Sequence, residues 1–431
     1  KGKTIKTFGS IILCDEILKA LEEEGYESPT EIQKKTIPVL LKGSDLIGAA
    51  KSGTGKTAAF VLPILEKLKN TQNNEPKVLR CVILVPTREL AKQISKAISH
   101  YSRHLNITYA EIFGGVSNKI QETKLKKGVD IIVATTGRLK DHITNNGLNL
   151  GSVNMLVVDE ADTMLELGFL KEIEEVFALA SPQRQIMMFS ATISQNVKQL
   201  AKQFLRTPTV VEITNRRETV ALIDHLAYSV DSDQKKEMLS YLIGSKNYQQ
   251  LLVFVNTKKM ADTLTEHLNL DGLNSLCIHG DIKQPARARA LRKFKAGEIR
   301  VLIATDIAAR GIDIEQLPLV VNYSLPETTD DFTHRIGRTG RAGNRGCEIS
   351  LLSVKEYKQY AQIQKDLKLD TQKEQLEGFE LTEREHRVAR FKRLSLSEKK
   401  GLKKPKNPYE KKVSKSKKTT KRDANRTFRK K

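Results

Sequence analysis

Long apolar runs are missing from this 431-residue chain. Nowhere do about 18 apolar residues follow one another, so no membrane-spanning helix is expected. Cysteine is scarce: Cys14, Cys81, Cys277 and Cys347 lie far apart and show no metal-ligand spacing. Three of them sit in or beside apolar stretches, which predicts reduced core thiols in a cytoplasmic protein. A secretory leader is missing too, because no h-region or cleavage signature follows Lys1, and export is not expected. The chain also opens without Met, so a few residues are expected to precede Lys1.

Positive charge is present in excess, and it is unevenly placed. The net charge is +22, from 73 Lys and Arg against 51 Asp and Glu. Residues 384–431 carry 21 basic and 4 acidic side chains, a net +17, which leaves +5 for the 383 residues before them. This tail has few large apolar residues and no helical period beyond about Leu396, which predicts disorder. A polycation of this kind binds nucleic acid by releasing condensed counterions, without reading sequence. A solubilising tail, or one that binds acidic protein, is the alternative.

Short Val/Ile/Leu-rich runs alternate with amphipathic stretches. DLIGAA (45–50), CVILVPT (81–87), DIIVATT (130–136), MLVVDEA (155–161) and QIMMFSAT (185–192) read as buried strands. Between them, Leu90, Ile94, Ala97, Ile98, Tyr101 and Leu105 share one helical face. The pattern lapses through EITNRRETVALIDH (212–225). It restarts at QLLVFVNT (250–257), SLCIHG (275–280), RVLIATD (300–306), LVVNYSL (319–325) and CEISLLS (347–353). Such alternation predicts an α/β fold of two tandem domains with parallel sheets, whose ligands bind at the carboxyl ends of strands. The expected bounds are 1–213 and 221–370, joined by a linker at 214–220. A polar helical stretch and the basic tail follow at 371–431.

One strand poses a question. NMLVVDEADTML (154–165) ends a buried run in three acids, Asp159, Glu160 and Asp162, and unpaired buried charge is costly. Either the strand end emerges into water, or a divalent cation neutralises the cluster. AKSGTGKT (50–57), just after the first strand, decides for the cation. It fits the P-loop template, except that Ala50 stands where the first Gly usually does. Ser52, Gly53, Thr54 and Gly55 would let backbone N–H groups curl around phosphates. Lys56 would reach the β and γ phosphates, and the Thr57 hydroxyl would ligate Mg²⁺. Asp159 would then hold Mg²⁺, largely through water, and Glu160 would polarise the attacking water.

The letters from Asp159 to Asp162 spell DEAD, and the chain resembles the DEAD-box ATP-dependent RNA helicases from Phe8 to Leu352, with about ten motifs in the family's order. The resemblance implies two RecA-like domains, with ATP and Mg²⁺ as cofactors and RNA as the partner. In GYESPTEIQ (25–33), with Phe8 upstream, Tyr26 would stack on adenine and Gln33 would bond its edge. PTREL (86–90), GG (114–115) and TTGRL (135–139) match RNA-facing motifs. They offer Pro86, Thr87, Arg88, Gly115, Thr135 and Arg138, although the family usually has Pro where Thr136 stands. SAT (190–192) resembles the motif that couples hydrolysis to RNA through Ser190 and Thr192, together with Asp162.

In the second half, HGDIKQPARARAL (279–291) and ATDIAARGIDI (304–314) match later motifs. Arg287 and Thr305 would touch RNA, Asp313 the ribose, and Arg310 would fasten the closed state. Pro285 is expected in a first helical turn. HRIGRTGRAG (334–343) supplies His334 as a coupling residue. It also supplies Arg338 and Arg341, expected to project together from one helical turn onto a γ-phosphate. The implied activity is RNA-dependent ATP hydrolysis with local unwinding of short duplexes or remodelling of RNA–protein complexes. The bacterial type with a basic tail points to ribosome assembly or RNA decay, with ribosomal precursor particles or decay proteins as candidate partners. An ATP-gated RNA clamp or annealing protein is the alternative, and a DNA helicase the third reading.

Overall fold

The computed structural model describes residues 7–50, 53–69, 77–213, 222–309, 312, 314, 316–340 and 345–382. The expected linker at 214–220, the tail from 384, and the site residues Ser52, Arg310, Asp313 and Arg341 lie outside them. Two seven-stranded sheets organise the described chain, and every strand pair in them is parallel.

The first sheet holds β1 (Leu46–Ala49), β2 (Cys81–Val85), β3 (Tyr109–Ile112), β4 (Ile131–Thr135), β5 (Met155–Val158), β6 (Gln185–Ser190) and β7 (Thr209–Glu212), in the order β3-β4-β2-β5-β6-β1-β7. The second holds β8 (Ile223–Ser229), β9 (Leu251–Phe254), β10 (Ser275–Ile278), β11 (Val301–Ala304), β12 (Leu319–Asn322), β13 (Gly346–Leu352) and β14 (Lys373–Glu374). Its order, β10-β11-β9-β12-β13-β8-β14, repeats that of the first sheet strand for strand. Two tandem α/β units follow from this duplication, as the RecA-like resemblance implies.

Apolar runs form because helices cover both sheet faces, so successive side chains both enter a core. On β2, Ile83 and Val85 join one cluster while Val82 and Leu84 join the opposite one. On β9, Leu251 and Val253 face one core and Leu252 and Phe254 the other. The amphipathic helix Arg88–Tyr101 buries Leu90, Ile94, Ile98 and Tyr101 as its spacing predicts. Thr87 caps it, its hydroxyl accepting from the Leu90 amide at 3.3 Å. Pro285 falls in the first turn of the helix Gln284–Lys295.

Three features go beyond the sequence reading. The lapse at 212–225 conceals the start of β8, because its Asp224 and His225 interrupt the apolar run. His225 is paired with the buried Glu348 on β13 at 3.0 Å. The strands β3, β7 and β14 are likewise short and lie toward sheet edges, with too little continuous apolar sequence to declare themselves. Finally, the described residues 371–382 carry β14 as an edge strand on β8, and the rest of the expected polar helical stretch lies outside the described residues.

Candidate active site

Strand order β5-β6-β1 sets three carboxyl ends side by side, neighbouring strands being about 4.8 Å apart. The P-loop, the DEAD acids and SAT therefore converge. Lys56 opens the helix Lys56–Leu68 and is buried. Its ammonium donates to the carbonyl oxygens of Ala50 at 2.5 Å and Ser190 at 3.4 Å, which suspends the cation across the ends of β1 and β6. Gly55 caps this helix at φ 91°, a left-handed conformation that side chains resist, and a Cβ there would lie 2.4 Å from Gln33 Nε2. Gly53 is left-handed as well, at φ 76°. Thr57 follows Lys56 in the same first turn and stays partly exposed.

Gln33 is fixed at both ends of its carboxamide. Its Oε1 accepts from the Thr30 amide at 2.9 Å in a capping box, and its Nε2 donates to the Gly55 carbonyl at 3.0 Å. The group expected to read adenine thus also holds the glycine turn that precedes the helix Lys56–Leu68. Tyr26 is 46% exposed and packs edge-on against Tyr101 with ring centroids 6.0 Å apart, so much of it stays open for stacking. Phe8 is buried in the core of the first sheet and leaves almost none of its ring to a ligand.

The acids are arranged unequally. Asp159 is buried, and its Oδ1 accepts from the Glu160 amide at 2.9 Å. Burial pushes its carboxyl up, and Lys56 offsets part of that. Glu160 occupies the left-handed region at φ 50°, an uncommon conformation for a residue with a side chain. Its Oε2 is buried with no hydrogen-bond partner. Burial first, and then the Asp159 charge, push its carboxyl up to about 7 against the pull of Lys56 and Arg338.

Asp162 is pulled the other way. Burial would raise it, yet His334, Lys56 and the Ser190 hydroxyl hold it below the usual carboxylate range. Its Oδ2 accepts from the amides of Ala191 at 3.1 Å and Thr192 at 3.0 Å, and from the Thr192 hydroxyl at 3.2 Å. DEAD and SAT are one hydrogen-bonded unit.

Arg338 and His334 belong to the second unit, so their action on Glu160 and Asp162 crosses between the sheets. Arg338 is buried and donates to the Ile312 carbonyl at 2.8 Å. It does not stand on a helical turn: the helix Thr329–Ile336 ends first, with Gly337 as its cap, and Arg338 follows in the turn beyond. Arg335, 1% exposed, is structural. It grips Asp306 with Nε–Oδ1 at 2.6 Å and an Nη2–Oδ2 bond at 2.7 Å, and it bonds Asn322 and Asn256.

On the flank expected to face RNA, Arg88 lies against Gly114 and Gly115, and a Cβ on Gly115 would overlap its guanidinium at 2.1 Å. Gly115 thus gives close approach to Arg88. Arg138 donates to the Val116 carbonyl at 2.9 Å, and Thr135 precedes the helix Thr136–Asn146 as its cap position. Pro86 is buried between β2 and Thr87. Thr305 lies just past β11, half-buried.

Arg287, expected on RNA, is engaged within the protein in this structure. It pairs with Glu89 at 3.1 Å and donates to the Ala308 carbonyl at 2.8 Å. Gln284 donates to the same Glu89 oxygen at 2.8 Å. Sequence reasoning missed Glu89 because an acid in a first helical turn looks like ordinary capping chemistry. It missed Arg335 because its pairing with Asp306 spans 29 residues. The inward period Phe332, Arg335, Ile336 was the available signal.

Two family models match the chain: "DEAD/DEAH box helicase" over residues 30–200 and "Helicase conserved C-terminal domain" over residues 234–343. The ATP-dependent RNA helicase CshA of Listeria monocytogenes is 40% identical over 332 residues, 77% of this chain and 63% of that protein. CshA of Geobacillus kaustophilus is 40% identical over 333 residues, 77% of this chain and 70% of that one. The match with DeaD of Mycobacterium tuberculosis spans only 58% of that protein. Among solved structures, S. cerevisiae Dbp5 bound to RNA and ADP BeF3 superposes with a TM-score of 0.76 at 30% identity, over 86% of this chain and 96% of that one. Model matches, identity and duplicated topology agree: the chain belongs to the DEAD-box family of ATP-dependent RNA helicases.

Proposed function

We propose that the chain is an RNA-dependent ATPase that locally separates short RNA duplexes or remodels RNA–protein complexes. The carrying observation is the composite site. Lys56, Asp159 and Glu160 come from one unit, and Arg338, close enough to pull on the Glu160 carboxyl, comes from the other. Neither unit alone holds a complete site, so a ligand spanning both would control hydrolysis.

The oxygen donors of Thr57 and Asp159 suit Mg²⁺, a hard cation that keeps several waters, and the buried unpartnered Oε2 of Glu160 suits a group that orients water. Bound there with ATP, the ion would neutralise phosphate charge and the acid cluster together. Lys56 would leave the Ala50 and Ser190 carbonyls for phosphate, and Tyr26 and Gln33 would hold the base. Arg88, Thr135, Arg138 and Thr305 would bind RNA backbone without reading sequence, while Asp162, Ser190, Thr192 and His334 would transmit its presence. Arg310, Asp313 and Arg341 keep the roles their motifs imply, as do the domain bounds 1–213, 214–220 and 221–370. The four cysteines are all free thiols, consistent with a cytoplasmic setting, and ribosome assembly or RNA decay is the proposed process.

Strand displacement on a short RNA duplex tests this reading. The native chain should separate strands with ATP, and Lys56→Ala should lose both displacement and ATP hydrolysis while keeping its fold. Hydrolysis without displacement would favour the clamp, and near-normal hydrolysis by the variant would remove the P-loop assignment.

A further inference from the structure

At the opposite ends of these strands lies a second, basic cavity of about 530 Å³. Its walls come from the amino ends of strands: Asp45 precedes β1, Arg80 precedes β2 and Arg184 precedes β6. Lys67 reaches it from the last turn of the helix that begins at the P-loop, and Arg206 from the segment before β7. Because the motif residues sit at carboxyl ends, the cavity is separate from the ATP and RNA positions by the full length of the sheet.

Four cations and one carboxylate line it, and the carboxylate is already engaged. Asp45 accepts the Ile186 amide at 2.8 Å and the Arg206 amide at 2.7 Å. The cations lean mostly on neutral acceptors. Lys67 donates to Gln185 Oε1 at 2.6 Å, Arg184 to the Ser181 carbonyl at 3.1 Å and Arg206 to the Pro182 carbonyl at 2.6 Å. Arg80 shares Asp130 with Lys77, at 3.5 and 3.9 Å. Arg184 Nε is buried with no hydrogen-bond partner. Burial, and then its neighbour Arg206, pull the Arg184 guanidinium below its usual range, with the Asp45 carboxylate opposing them. Like charges gathered around a recess with donors to spare suit an anion with several oxygens, and guanidinium pairs bind phosphate bidentately.

We propose that this cavity binds a small phosphorylated anion, with Lys67, Arg80, Arg184 and Arg206 as its ligands. Its volume lies in the range of small-molecule sites, which favours a compact polyphosphate-bearing molecule over a polymer.

Tripolyphosphate is the probe, titrated calorimetrically into full-length Lys56→Ala, where the P-loop cation is gone. A saturable isotherm is expected, weakened at least about tenfold by adding Arg184→Gln and Arg206→Gln. The basic tail is identical in both chains, so the difference belongs to the cavity. Lys67→Met, which keeps most of the apolar stem, should weaken binding too, and serves alone if the arginine pair fails to fold. Equal binding in variants and parent would overturn the proposal, since the tail and the P-loop amides would then account for all of it. Mole-for-mole displacement by a short RNA would overturn it also, by making the cavity part of an RNA path.

Discussion

Glu160 concentrates backbone strain and buried charge of the candidate site in one residue. Its left-handed backbone is of a kind that costs about 1–2 kcal/mol, and its carboxylate is buried beside Asp159. An acid raised from 4.5 to about 7 holds its proton longer in the folded chain than in the unfolded one. Stability therefore falls as pH rises between those values and stays reduced above about 7. Glu160→Gln removes the charge and keeps the shape. Without ligands it should be more stable than the native chain at pH 8, by about 1–3 kcal/mol in denaturant unfolding, and about equally stable at pH 4.5. It should still bind ATP and RNA together while hydrolysis falls steeply. Loss of ATP binding would show that Glu160 holds the metal or the fold instead. The letters named the acids and pointed to Glu160 as the group that polarises water, but its left-handed backbone and its orphaned oxygen depend on conformation and were not legible.

At the scale of the element, legibility followed continuity of apolar sequence. Buried strands such as β2 and β5 declared themselves because both faces enter a core. β8 did not, because His225 and Glu348 form a polar pair inside the second sheet, and such pairs look like loop chemistry in a sequence. The Gly114–Gly115 turn was legible only as a close approach, and its partner proved to be Arg88 of the preceding helix. Gly115→Ala makes that contact testable. The added Cβ is strained at φ 79° and displaces the guanidinium. RNA affinity should fall about tenfold, the loss of one charge-assisted contact of about 1.4 kcal/mol, while nucleotide binding without RNA is unchanged. Unchanged RNA affinity would remove Arg88 from the RNA surface.

For the whole molecule, two scales of electrostatics operate. Residues 384–431 carry +17 of the +22 net charge and none of the motifs. Deleting them should preserve hydrolysis at saturating RNA and lower affinity at moderate salt. If the tail meets about six phosphates, the slope of log affinity against log salt should flatten by roughly 4 units, similarly for unrelated RNAs. An unchanged slope would assign the tail to protein docking or solubility. Inside the fold, charge acts across the two sheets, where the Arg338 charge of one unit pulls the Glu160 carboxyl of the other down. Sequence showed that both halves carry motifs. Only the fold showed that Arg338 stands past the end of its helix, its guanidinium on the Ile312 carbonyl, and that Glu89 bridges to Gln284 and Arg287.

The composite site is the central claim, and Arg338→Ala measures it most directly through ATP affinity and RNA-stimulated turnover in the same preparation. Arginines that complete other P-loop sites contribute about 10³-fold or more to rate, so turnover with saturating RNA should fall by about that factor while ATP affinity shifts only a few-fold. Turnover within a few-fold of native would contradict the account, because the first unit would then hydrolyse ATP without the second.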